Sequence, residues 1–214
     1  MKIVASTSCG PGDSGITKCE PDLIELRLDL MSGDRLAIAS QWKNETDTPL
    51  VMTLRSRREG GLFPGTGEDW WKIIKPLLPF ASYVDIEREF SSYAPEVREQ
   101  GCTVVGSYHT MTMLSASGLG EIRNTLRMYG DIPKIVVSPG NYDQVLEFLA
   151  FTYHAEKPVI TSIMGEQFRH VRAVLPLFGS SWIFGHAGTP TSAGQYSVGE
   201  LRSLFAILEG KSGH

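Results

Sequence analysis

Glu25-Leu26-Arg27-Leu28-Asp29-Leu30 carries a charge at every second position and a leucine at every other. Successive side chains of a β-strand point to opposite faces, so this stretch has one charged face and one leucine face. In an antiparallel sheet with one wet side, the charged face would simply lie in water. In a parallel sheet covered by helices, the leucines pack beneath the helices and the charges must turn inward. The surrounding chain decides between the two.

Comparable apolar or alternating segments recur at 2–8, 23–30, 50–55, 83–87, 103–109, 132–137, 159–164 and 182–186, which predicts eight strands. Helical patterns lie between most of them, at 34–44, 69–81, 92–100, 118–129, 142–155 and 166–178, with a last helix at 198–208. Ser197 with Glu200 forms a capping box, Asn141 with Gln144 opens another helix, and Gly101 and Gly130 stand where helices end. The connection 9–22 has room for at most a short helix. Alternating strands and helices imply a parallel sheet, and eight units close an α/β (β/α)₈ TIM barrel. A doubly wound open sheet is the alternative, but no strand is followed by a Gly-x-Gly-x-x-Gly turn. With no linker in sight, residues 1–214 are expected to form a single compact domain.

The composition is that of a soluble globular protein, 42% hydrophobic and 21% charged. A net charge of −4 argues against a nucleic-acid or acidic-membrane partner, which calls for a basic excess. Cys9, Cys19 and Cys102 are too scattered for a disulfide framework and fit a reducing compartment. The N-terminus turns polar too soon for a signal peptide, and no apolar run approaches the ~18 residues of a membrane span. The expectation is a cytoplasmic protein.

Inside a barrel, the strand phases collect chemistry at one mouth. Thr53 and Arg55 end the third strand, Asp85 and Glu87 the fourth, Ser107 and His109 the fifth, and Met164 the seventh. Lys134 stands alone in the apolar run Ile132-Pro133-Lys134-Ile135-Val136-Val137. A buried ammonium is costly and is relieved by losing its proton, or by snorkelling to a strand end. A neutral amine in a closed pocket is a nucleophile for a carbonyl, and Arg27 and Arg55 are the expected neighbouring cations. His109 suits general acid–base work, with Glu59 or Asp85 as the carboxylate that orients its ring. His154, His170, His186 and His214 read as structural or solvated. Glu25, Asp85, Glu87 and His109 would also suit a hard divalent ion, but the interleaved Arg27, Arg55 and Lys134 oppose a cation. Arg172 can clamp a carboxylate, and loop 188–195 is rich enough in hydroxyl and amide groups to act as a lid.

These residues resemble, in order, the motifs of type I 3-dehydroquinate dehydratase, a Schiff-base enzyme of the shikimate pathway of aromatic amino-acid biosynthesis. Glu25-Leu26-Arg27 resembles its Glu-x-Arg, and Arg55-Ser56-Arg57-Arg58-Glu59-Gly60-Gly61 its Arg-x-x-x-Glu-Gly-Gly. Asp85-Ile86-Glu87, Ser107-Tyr108-His109, Lys134, Met164-Gly165, Arg172, Gly179-Ser180, Phe184 and Gly194-Gln195 complete the series. The resemblance implies a barrel lyase, usually a homodimer, with no metal and no organic cofactor. Its substrate would be 3-dehydroquinate, dehydrated by syn elimination to 3-dehydroshikimate. Lys134 would form the imine, His109 would move the protons, and Glu59 would orient His109. Glu25, Arg27, Arg55, Arg172, Thr191 and Gln195 would bind the substrate, supported by Asp85, Glu87, Met164, Phe184 and Ser192. The family lid Ser-Ala-Pro-Gly-Gln reads Thr191-Ser192-Ala193-Gly194-Gln195 here, so either Thr191 or Ser192 supplies the lid hydroxyl. Val171 stands where a serine is common. A Schiff-base aldolase on the same scaffold is the rival reading, but it would need a phosphate site after strands seven and eight. A barrel that binds a small acid without catalysis is the other, and the presence of both Lys134 and His109 opposes it.

Overall fold

The computed structural model describes residues 1–16 and 19–210. All eight expected strands form: β1 (Lys2–Thr7), β2 (Leu23–Arg27), β3 (Leu50–Thr53), β4 (Tyr83–Glu87), β5 (Thr103–His109), β6 (Ile132–Val137), β7 (Ile160–Ile163) and β8 (Trp182–His186). Neighbours pair in parallel in the order β7-β6-β5-β4-β3-β2-β1-β8. Eight helices accompany them among the described residues: α1 (Pro11–Ser14), α2 (Arg35–Glu45), α3 (Gly67–Ile74), α4 (Ala94–Glu99), α5 (Ala116–Arg127), α6 (Tyr142–His154), α7 (Arg169–Val174) and α8 (Val198–Leu208). The result is a nearly closed (β/α)₈ barrel.

Its remaining seam, between β7 and β8, is bridged by a side chain. Ser180 Oγ accepts from Thr161 N at 3.0 Å and donates to Thr161 O at 3.0 Å, and Ser181 N donates to Val159 O at 2.8 Å. The strand phase on β2 is the one expected for a barrel. Ile24, Leu26 and Leu28 lie in the core beneath the helices. Leu23 turns inward with Val4, Val51, Val105, Ile160 and Trp182, an apolar plug in the lower barrel. The polar groups therefore collect above that plug, toward the C-terminal ends of the strands.

Several boundaries shift for identifiable reasons. β2 stops at Arg27, and residues 28–30 form a turn in which Leu28 N donates to Thr53 O at 2.8 Å and Leu30 N to Arg27 O at 3.0 Å. The helices expected over 69–81 and 166–178 finish as 3₁₀ turns at Lys75–Phe80 and Leu175–Phe178. Pro76, Pro79 and Pro176 remove the donors that a continuous α-helix needs. Gly130 does not end its helix through a left-handed conformation. A Cβ on it would lie 2.6 Å from Gly106 N, so its absence lets the end of α5 pack directly onto β5, the strand that carries His109. α8 begins on the expected capping box, with Ser197 Oγ accepting from Glu200 N at 3.1 Å. Among the described residues no helix is long and apolar enough to cross a membrane.

Candidate active site

A cavity of about 390 Å³ opens at the C-terminal ends of the strands. Its walls include Glu25, Arg27, Arg55, Glu59, His109, Lys134, Met164, Arg172, Phe184, Thr191, Ser192 and Gln195. Lys134, only 5% exposed, does not snorkel to water. Its Nζ donates to Asp85 Oδ2 at 2.9 Å, stands 3.7 Å from Glu25 Oε1 and lies 4.3 Å from the centre of the Phe184 ring. The expected crowding of Lys134 by Arg27 and Arg55 is replaced by an alternation of charges, with carboxylates set between the cations.

Arg55 is the hub of that alternation. Its NH2 donates to Asp85 Oδ1 at 2.7 Å, and its NH1 to Glu87 Oε1 at 2.8 Å and Ser107 Oγ at 3.0 Å. Burial alone would pull the Arg55 pKa down, but Asp85, Glu87 and Glu59 together hold it above the usual value. Burial likewise pushes Asp85 up, yet Arg55 and Lys134 outweigh it and hold the carboxyl well below the usual range. Asp85 and Glu87 do not line the cavity; they stand behind it and hold Arg55, and Asp85 also holds Lys134. Glu25 is braced from both sides, by Ser6 Oγ at 2.6 Å and Thr53 Oγ1 at 2.9 Å.

The turn after β3 brings Glu59 over the hub. Ser56 Oγ caps the short 3₁₀ turn Arg57–Glu59, and Gly60 takes a left-handed conformation at φ +83°. A Cβ on Gly61 would lie 2.2 Å from Arg55 O, so only glycine lets the turn fold back so closely. Glu59 Oε2 then accepts from His109 N at 2.9 Å and meets Nδ1 at 2.9 Å. Of the two candidate partners for the ring, Glu59 is the one in contact. Nδ1–H donating to Glu59 leaves Nε2 as the nitrogen for the cavity. Burial, then Arg55 and Lys134, push the His109 pKa well below its usual value, which keeps the ring neutral. Burial, reinforced by Glu87 and Asp85 against the pull of Arg55, pushes Glu59 up to about 8.

Arg172 is buried at the end of α7, where burial and Arg169 lower its pKa to about 10. It donates to Ala193 O at 2.7 Å and Ser192 Oγ at 3.5 Å, while its buried Nε has no partner. Across the mouth, Arg27 NH1 donates to Thr191 O at 3.4 Å, and Gln195 Oε1 accepts from Thr191 N at 2.9 Å and Thr191 Oγ1 at 3.2 Å. Two arginines thus rope loop 188–195 over the cavity. Ser6 and Ser162 also line it and were not singled out from the sequence. His186 Nδ1 is buried without a partner, and His214 lies outside the described residues.

A sequence model of the family described as type I 3-dehydroquinase matches residues 14–212. The chain belongs to the type I 3-dehydroquinase family. A 3-dehydroquinate dehydratase from Methanoregula boonei is 46% identical over 97% of this chain and 100% of that one. One from Methanospirillum hungatei is 31% identical over 97% of this chain and 81% of its own length. The crystal structure of 3-dehydroquinate dehydratase from Geobacillus kaustophilus superposes with a TM-score of 0.88, at 24% identity, covering 99% of this chain and 92% of that one. As a type I 3-dehydroquinase, this chain sets Glu25, Arg27, Arg55, Glu59, His109, Lys134, Met164, Arg172, Phe184 and Gln195 around the cavity, while Gly179-Ser180 precede β8 at the other end of the barrel, in the seam with β7.

Proposed function

We propose that the protein removes water from 3-dehydroquinate to give 3-dehydroshikimate through an imine on Lys134. The observation that carries the reading is one buried lysine in the cavity at the strand ends, with a neutral histidine held by Glu59 on its wall. Lys134 passes a proton to His109 Nε2 and attacks the C3 ketone; the imidazolium returns that proton to the carbinolamine hydroxyl, and loss of water leaves an iminium, an electron sink that acidifies C2. His109 Nε2 takes the C2 proton, leaving an enamine and an imidazolium held by Glu59. The enamine then expels the C1 hydroxyl, to which the imidazolium returns its proton, so water departs. Hydrolysis of the conjugated iminium releases product and restores Lys134. Arg172 takes the substrate carboxylate, and Glu25, Arg27, Arg55, Thr191 and Gln195 take its other oxygens. Phe184 and Met164 form apolar walls. Asp85 and Glu87 support the site from behind.

Incubation with 3-dehydroquinate and borohydride is expected to add the ligand's mass to the Lys134 peptide, and His109→Ala to keep that adduct while elimination stalls. No adduct, an adduct on another lysine, or near-normal turnover in His109→Ala would sink the mechanism.

We further propose a homodimer in a reducing cytoplasm. Cys9, Cys19 and Cys102 are all free thiols. The outer face of α6 exposes Tyr142, Leu146 and Tyr153, each more than 60% accessible, and a second copy of the same uncharged stripe is its natural cover.

A further inference from the structure

Asp29 belongs to the alternating stretch of β2 and its turn, yet the reaction above gives it no task. It does not line the cavity, and its side chain is fully buried. Its Oδ1 accepts from Arg27 Nε at 2.9 Å, and its Oδ2 from Arg27 NH2 at 2.9 Å and from Leu62 N at 3.2 Å. With this two-point fork and NH1 donating to Thr191 O at 3.4 Å, Arg27 keeps one N–H on NH1 and one on NH2 for the cavity. Arg55 and Lys134 are matched in the same way, by Asp85 and Glu87 and by Asp85. Arg172 differs from all three. Its acceptors are a carbonyl and a hydroxyl, and among the described residues it forms no ion pair. An arginine whose charge is matched still donates hydrogen bonds but attracts an anion weakly; an unmatched one is an anion seat.

We propose that Asp29 is a specificity-determining positioning residue. By gripping and neutralising Arg27 it leaves Arg172 as the cavity's one anion seat among the described residues, and so decides which end of an anionic, hydroxylated substrate each arginine takes. The carboxylate goes to Arg172 and a hydroxyl to Arg27 NH1. Without Asp29, Arg27 becomes a second seat on the opposite rim, and part of the substrate binds reversed, its ketone turned away from Lys134. This rests on the reading of the cavity as the site of a carboxylate-bearing substrate.

The test uses inorganic sulfate as the probe, titrated calorimetrically into the wild-type chain and its variants, with steady-state kinetics on 3-dehydroquinate alongside. Wild type should bind sulfate through Arg172 and lose it in Arg172→Ala. Asp29→Asn should bind sulfate roughly tenfold more tightly, as expected for a charge-assisted contact set free. The double variant Asp29→Asn, Arg172→Ala should keep a sulfate site, and kcat and KM for 3-dehydroquinate should fall together in Asp29→Asn, as reversed, non-productive binding requires. General damage would weaken anion binding, so a tightening is not what a merely structural role gives. Asp29→Glu keeps the charge and should bind sulfate as wild type does. If Asp29→Asn does not fold, Asp29→Ser retains an oxygen for the Leu62 N–H and should give the same tightening. Unchanged sulfate affinity in the neutral variants, a silent double variant, or tightening in Asp29→Glu would each overturn the proposal. A wild-type chain that binds sulfate as expected but leaves 3-dehydroquinate unchanged overturns the dehydratase reading instead.

Discussion

Glu59 and His109 meet at 2.9 Å in a pocket that penalises charge on either. The folded chain raises Glu59 to about 8 from an ordinary 4.5, mainly by burial. A raised pKa means the folded state holds the proton more tightly. The associated stability is full below about 4.5 and is lost as pH rises toward about 8. Glu59→Gln cannot ionise and lacks this dependence. Its stability relative to wild type should therefore rise across that window, measured by urea midpoints at several pH values. Identical pH profiles for the two proteins would show that Glu59 is not held protonated. Turnover in the same variant should fall by about 10²-fold, because an amide cannot ionise to hold the imidazolium that forms when His109 takes the C2 proton. At this scale the sequence was uneven. Lys134 stood out because an ammonium does not belong in an apolar strand, and His109 because it ends a strand with Glu59 and Asp85 as candidate partners for its ring. Ser6 and Ser162 were missed because a single hydroxyl in a strand gives no signal until the strand's phase and its neighbours are known.

Strands and helices were more legible than their ends. Strand period and helix period differ enough to be told apart wherever the segment is regular, and all eight strands came out in place. The misplaced ends follow local chemistry that periodicity does not see, such as the prolines that tighten 75–80 and 175–178 into 3₁₀ turns. The β7–β8 seam is the clearest case, since a serine side chain there does work that a strand ladder does elsewhere. Thr161 N has Ser180 Oγ as its partner inside a buried joint. Ser180→Ala should leave that N–H unpaired and cost about 1–3 kcal/mol of stability. Urea unfolding checks the magnitude, and amide exchange at Thr161 checks the place. A variant as stable as wild type, with Thr161 still protected, would mean that the two Ser181–Val159 bonds, Ser181 N to Val159 O and Val159 N to Ser181 Oγ, suffice to close the barrel.

Closing a barrel leaves its helices as the outer surface, so the molecule's contact with others is decided by what those helices show. α6 buries Val145, Phe148 and Thr152 on its inner face and still exposes Tyr142, Leu146 and Tyr153. These positions lie four and seven residues apart, which puts them on one stripe of the helix. The 3₁₀ turn packed against α6 adds Leu177, 57% accessible, and Phe178, 37%. A solvated helix face would carry charges at such positions, and Asp143 and Glu147 occupy only the flanks. An uncharged stripe suits a copy of itself across a two-fold axis, because no like charges are brought together. Wild type should therefore sediment at twice the mass of one chain, and Leu146→Asp paired with Tyr153→Asp should sediment as a monomer. The active site opens at the strand ends, away from this helix face, so the monomer should still form the Lys134 adduct. A wild type that sediments as a single chain, or a double variant that still sediments as a dimer, would show that α6 is not the joint.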